Sequence, residues 1–143
     1  MATLDTIIPR FKAADRQTRL ETLLDYSKKL PPLPERYEAE KAQGRNMVEE
    51  CQTPVYLWVE VDGGRVHIHA DVPRESPTVR GFVSLLARTL EGETPDAVAR
   101  LPLDLLDQLG LSEALGRHQL EILHVIHPID TGVPRRAWKR APR

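Results

Sequence analysis

The chain has 143 residues, 41% of them apolar and 29% charged, with a net charge of −1. That length makes one domain able to bury about two thirds of the surface of its unfolded chain, and the apolar share excludes disorder as the default state. No apolar run approaches the roughly 20 residues of a membrane-spanning helix, and the single cysteine excludes an internal disulfide, CxxC redox chemistry and a zinc ribbon.

In chain order, Leu4, Ile7, Ile8 and Phe11 have helical spacing, with Pro9 weakening the middle. Asp15 is placed to cap a second helix, along which Leu20, Leu23, Leu24, Ser27 and Leu30 form an amphipathic stripe. Pro31-Pro32 stops that helix, and the proline-rich run to Asn46 reads as a crossing loop with a short turn around Glu38 to Lys41.

From Val55 the residues alternate, Val55, Leu57, Val59 and Val61 on one face and Tyr56, Trp58 and Glu60 on the other, as in a half-buried strand. Asp62-Gly63-Gly64 supplies a turn and Val66 to Ala70 alternates again, so a hairpin is expected. Ser76 as a cap, followed by Pro77 at the first helical position, starts a helix with Val79, Phe82, Val83, Leu86 and Leu90 on its buried face. Thr94-Pro95 starts a short one, Leu103 to Leu109 precede a Gly110 end, and a last helix is expected from about Gln119 to Ile126. The fold class is α+β: a small, mostly antiparallel sheet built on a hairpin, packed against helices on one face. Residues 1–132 read as one domain and 133–143 as a basic tail with five cationic groups and no acid. The N-terminus carries no charged-then-apolar leader, so cytoplasmic residence is expected, in accord with the lone cysteine.

Cys51 precedes the first strand in a polar segment, between Glu49-Glu50 and Gln52-Thr53. A lone cysteine also reads as a small buried hydrophobe. Two adjacent carboxylates raise a thiol pKa, and no neighbouring histidine offers a base, which argues against a self-contained cysteine hydrolase. His67 and His69, at i and i+2 on one strand face, have a spacing that could hold a metal, but no third ligand is evident and no metal is assigned. A solvated sheet face is the other reading of the pair. The basic tail reads as a solvated terminus, with nucleic-acid binding as the alternative.

The ordered series LLDYSKKLPPLPE, VEECQTPVYLWVEV, HIHADVP, SPTVRGF, GETPDAV and LGL resembles the SufE family of sulfur acceptors in iron–sulfur cluster assembly, over about residues 4–115. The resemblance implies a SufE/IscU-like α+β domain with Cys51 as the acceptor cysteine. Where many members have glycine before that cysteine and tryptophan five places after it, this chain has Glu50 and Tyr56. After Leu115 the fit is loose, with Arg117 aligned to the partner-contacting arginine of the family.

The function implied is a persulfide carrier, not a stand-alone enzyme. Cys51 would take sulfur from a pyridoxal-phosphate cysteine desulfurase of the SufS type, enhancing its activity, and pass it to a scaffold containing SufB. No cofactor of its own, no nucleic acid and no membrane are implied. Glu50, Gln52, Arg80 and Arg117 are the docking candidates, and Cys51 is expected to rest against apolar surface until a partner docks. The alternatives are a non-catalytic adaptor that stimulates the desulfurase by binding alone, and a metal- or nucleic-acid-binding module.

Overall fold

Two strands, β1 (Tyr56–Asp62) and β2 (Arg65–Asp71), pair antiparallel in the register Tyr56 to Asp71 through Asp62 to Arg65. Gly63 and Gly64 join them with φ of +56° and +77°, the left-handed pair that a tight two-residue hairpin demands. The computed structural model describes residues 4–48, 53–102, 104–112 and 138–140. Within these the architecture is α+β, as expected.

One face of the hairpin carries Leu57, Val59, Val66, Ile68 and Ala70, all buried, and receives α4 (Pro77–Leu90). Helix α2 (Arg16–Lys28) packs on the other side of α4. Sandwiched in this way, α4 buries every residue from Gly81 to Ala87. The helices meet closely at Gly81, where a Cβ would stand 2.1 Å from the Leu23 carbonyl oxygen, so only glycine fits there. That contact corrects the expected stripe on α2. Leu23, Ser27 and Leu30 are buried, whereas Leu20 and Leu24 remain 37% and 45% exposed, because a seam this narrow covers the line through Leu23 and leaves the flanks in water.

Helix α1 (Leu4–Ala13) continues through Pro9, with Ile7 and Phe11 buried. Its last carbonyls, of Phe11 and Lys12, accept from the Arg19 guanidinium at 2.6 and 3.2 Å, so α2 caps the end of α1. Helices α5 (Pro95–Ala99) and α6 (Leu105–Leu109) follow α4, and Gly110 ends α6 at φ +71°. The helix expected at Gln119 to Ile126 lies outside the described residues.

Two features differ from the sequence reading. The run expected to be mostly loop contains α3 (Glu35–Ala42), which lies on the opposite face of the hairpin, its Tyr37 against Trp58. Trp58 and Glu60 are therefore buried, at 0% and 4% exposure, on a face expected to be solvated. The tail, read as separate from the domain, contributes β3 (Trp138–Arg140), parallel to β1 along Val59–Val61. The sheet order is β2-β1-β3.

Candidate functional site

Cys51, with Glu50 and Gln52, lies outside the described residues, as does Arg117. The chain on either side of it is described. Asn46–Val48 runs antiparallel to Val55–Leu57: Val48 N–H donates to the Val55 carbonyl at 2.8 Å, and Leu57 N–H donates to the Asn46 carbonyl at 3.0 Å. Asn46 completes the stem by donating its side-chain amide to the Leu57 carbonyl at 2.9 Å. Gly44 at φ +73° and Asn46 at φ +60° bring the chain off α3 and into this pairing; glycine and asparagine are the residues that tolerate that region. Val48 and Val55 are both buried at the neck of the stem. Chain length alone keeps the Cα of Cys51, three residues on, within about 11 Å of that of Val48.

The return arm meets the start of α4. Thr53 and Ser76 share a hydrogen bond between their hydroxyls at 3.2 Å. Four residues further on, Arg80 donates through Nε to the Ser27 carbonyl at 2.9 Å and through a terminal nitrogen to the Val72 carbonyl at 2.5 Å. It thereby ties α4 to the last residues of α2 and to the chain leaving β2. The geometry gives Arg80, a docking candidate on sequence grounds, a bracing role between α2, α4 and the chain leaving β2.

The far face of the sheet holds a second polar cluster. Arg36 donates to Glu60 through Nε, at 3.1 Å, and through a terminal nitrogen; the Tyr37 hydroxyl donates to the same carboxylate. His69 Nε2 lies 3.3 Å from the other Glu60 oxygen. Burial would push Glu60 up, but the hydrogen bonds from Tyr37 and Arg36, with the charges of His69 and Arg36, hold it below the usual carboxylate value. Burial first, then the bond to Glu60, pushes the Tyr37 phenol up to about 12. Trp58 Nε1 donates to Glu40 at 3.0 Å.

His67 is bonded to Glu91, so the two histidines turn to different carboxylates, and no group of three or more metal-ligating side chains is found among the described residues. This cluster escaped the sequence reading. The one signal for it was Glu60 itself, an acid in the middle of an apolar strand, and the sequence did not show what faced it.

Comparison with known proteins settles the kinship of this scaffold. The sequence model of SufE, described as an Fe–S metabolism associated domain, matches residues 5–127. The chain belongs to the SufE family. The match runs past Leu115, where the resemblance loosened on inspection of the sequence. An uncharacterized SufE-like protein of Mycobacterium tuberculosis is 37% identical over 112 residues, spanning 78% of this chain and 76% of the relative. One from Synechocystis is 34% identical over 113 residues, spanning 78% and 67%. The solution structure of a hypothetical protein from Thermus thermophilus superposes with a TM-score of 0.71 at 37% identity, covering 84% of each chain. Membership of the family places the protein in Fe–S metabolism. No helix among the described residues is long and apolar enough to cross a membrane.

Proposed function

We propose that this SufE-family chain is a sulfur carrier that accepts persulfide sulfur on Cys51 from a SufS-type cysteine desulfurase and delivers it to a scaffold containing SufB. The observation that carries the reading is the position of the only cysteine in a family chain of Fe–S metabolism: it falls in the short connection between two arms, Asn46–Val48 and Val55–Leu57, bonded to each other and backed by the sheet. A thiol that visits a partner's site requires a fixed origin, and the two bonded arms supply one.

The step is an exchange at sulfur. The Cys51 thiolate attacks the terminal sulfur of the donor persulfide; a new S–S bond forms as the donor's S–S bond breaks, and the donor cysteine leaves as thiolate. Electrons balance without an external oxidant. Cys51 ends as a persulfide, and a second exchange, in which an acceptor thiolate attacks its outer sulfur and Cys51 leaves as thiolate, passes the sulfur on. Deprotonation of the thiol belongs, in this proposal, to the docked complex. The carrier brings no cofactor; the pyridoxal phosphate is the desulfurase's. Docking through Glu50, Gln52, Arg80 and Arg117 is part of the same proposal.

The test is desulfurase turnover with cysteine in the presence of wild-type chain and of Cys51→Ser. A carrier stimulates turnover only with its thiol in place, so Cys51→Ser is expected to abolish the stimulation. Undiminished stimulation by Cys51→Ser would identify an adaptor that acts by binding alone.

A further inference from the structure

Ser76 occupies the N-cap position of α4 with Pro77 at the first helical position, yet its hydroxyl accepts no hydrogen bond from the helix. Serine favours this position because its oxygen satisfies an N–H that the first turn leaves without a partner. The same chain follows the rule elsewhere: Asp15 caps α2 at 2.8 Å from Thr18 N, and Thr94 caps α5 at 3.2 Å from Ala97 N. At α4 the hydroxyl turns instead to Thr53 Oγ1. A local preference is set aside here in favour of a contact between two segments far apart in sequence, and Thr53 is two residues from Cys51.

The ground under Ser76 is firm. Its N–H donates to the Pro73 carbonyl at 3.1 Å and its carbonyl accepts from Arg80 N–H at 2.9 Å. Arg80 in turn grips the carbonyls of Ser27 and Val72. The Thr53 hydroxyl is thus bonded to a point braced by α2, α4 and the chain leaving β2, while Val55, two residues further on, is fixed in the stem.

We infer that Thr53 and Ser76 are positioning residues for the thiol: their shared hydrogen bond holds the return arm against α4 and sets how readily Cys51 is presented. The inference rests on the reading of Cys51 as a sulfur carrier and names two side chains that govern it. Neither touches the reacting sulfurs.

The experiment measures the rate at which iodoacetamide alkylates Cys51 in the full chain, for wild type, Thr53→Val, Ser76→Ala and the double variant, with Thr53→Ser and Ser76→Thr as conservative partners and the melting midpoint of each recorded. Removing either hydroxyl is expected to change the alkylation rate about fivefold, the worth of one net hydrogen bond. The double variant should match the singles, the hydroxyl-keeping variants should stay near wild type, and the midpoints should fall by no more than the roughly 3 °C that one such bond accounts for. Unchanged rates, effects that multiply in the double variant, or midpoints that fall by much more than one bond explains would overturn the inference. Sulfur loading of the wild type, measured alongside, separates the two readings. Expected alkylation with no loading removes the carrier role and leaves the pin; loading with unchanged alkylation does the reverse.

Discussion

The ring of Tyr37 lies flat against Trp58, with centroids 4.8 Å apart and planes 16° apart. This stack fastens α3 to the sheet and closes off Glu60 beneath it, so that the arm leading to Cys51 leaves a helix that is itself anchored. Two offset aromatic planes, a buried carboxylate and a guanidinium hold α3 where its own sequence would not.

The cluster should report on pH at both ends. Glu60 is held below its usual value of 4.5, so the stability it supplies is whole above that pH and is lost as the pH falls below it. The Tyr37 phenol is raised from 10.0 to about 12, so its contribution is whole below pH 10 and fades as the pH rises toward 12. Glu60→Gln is expected to flatten the acid limb of a urea-midpoint profile and to cost about 2 kcal/mol at neutral pH, less than a fully buried pair because Arg36 is half open to water. Tyr37→Phe is expected to flatten the alkaline limb.

Gly81→Ala tests the seam between α2 and α4. Alanine improves helix propensity by about 1 kcal/mol, but its Cβ would lie 2.1 Å from a backbone oxygen that cannot rotate away. The clash should win. Urea unfolding is expected to show a net loss of about 2 kcal/mol; equal or greater stability would mean that the helices pack further apart.

Arg80→Ala removes the donors to the carbonyls of Ser27 and Val72. A loss of about 2 kcal/mol is expected from two partly buried acceptors left without this donor. Arg80→Lys should recover only part of it, because one ammonium cannot reproduce the planar two-pronged reach of a guanidinium. Unchanged stability in both variants, with weakened binding to the desulfurase, would leave Arg80 a docking residue alone and remove the brace.

What the residues revealed beforehand divides along local and tertiary lines. The hairpin was readable because alternation and Gly63-Gly64 are local signals, and so was the cap at Asp15; the cap expected of Ser76 is not made, because its hydroxyl bonds Thr53. Helix α3 was not, since it offers one large apolar side chain, Tyr37, whose partner Trp58 lies in a strand far along the chain. Leu20 and Leu24 fit a helical stripe by period, but how wide a stripe becomes buried was decided by Gly81 on another helix. The pairing of Trp138–Arg140 with β1 is a three-residue parallel contact with no sequence signature. At the candidate site, Cys51 stood out by being alone and by family resemblance, whereas the partner of Ser76 could be found only in three dimensions.

The central claim is that Cys51 carries sulfur, and intact mass spectrometry after incubation with a SufS-type desulfurase and cysteine tests it most directly. The account predicts a gain of one sulfur atom, removed by a reductant and absent from Cys51→Ser. A wild-type chain that retains its starting mass while the desulfurase turns over, or a Cys51→Ser chain that gains the same mass, would contradict it.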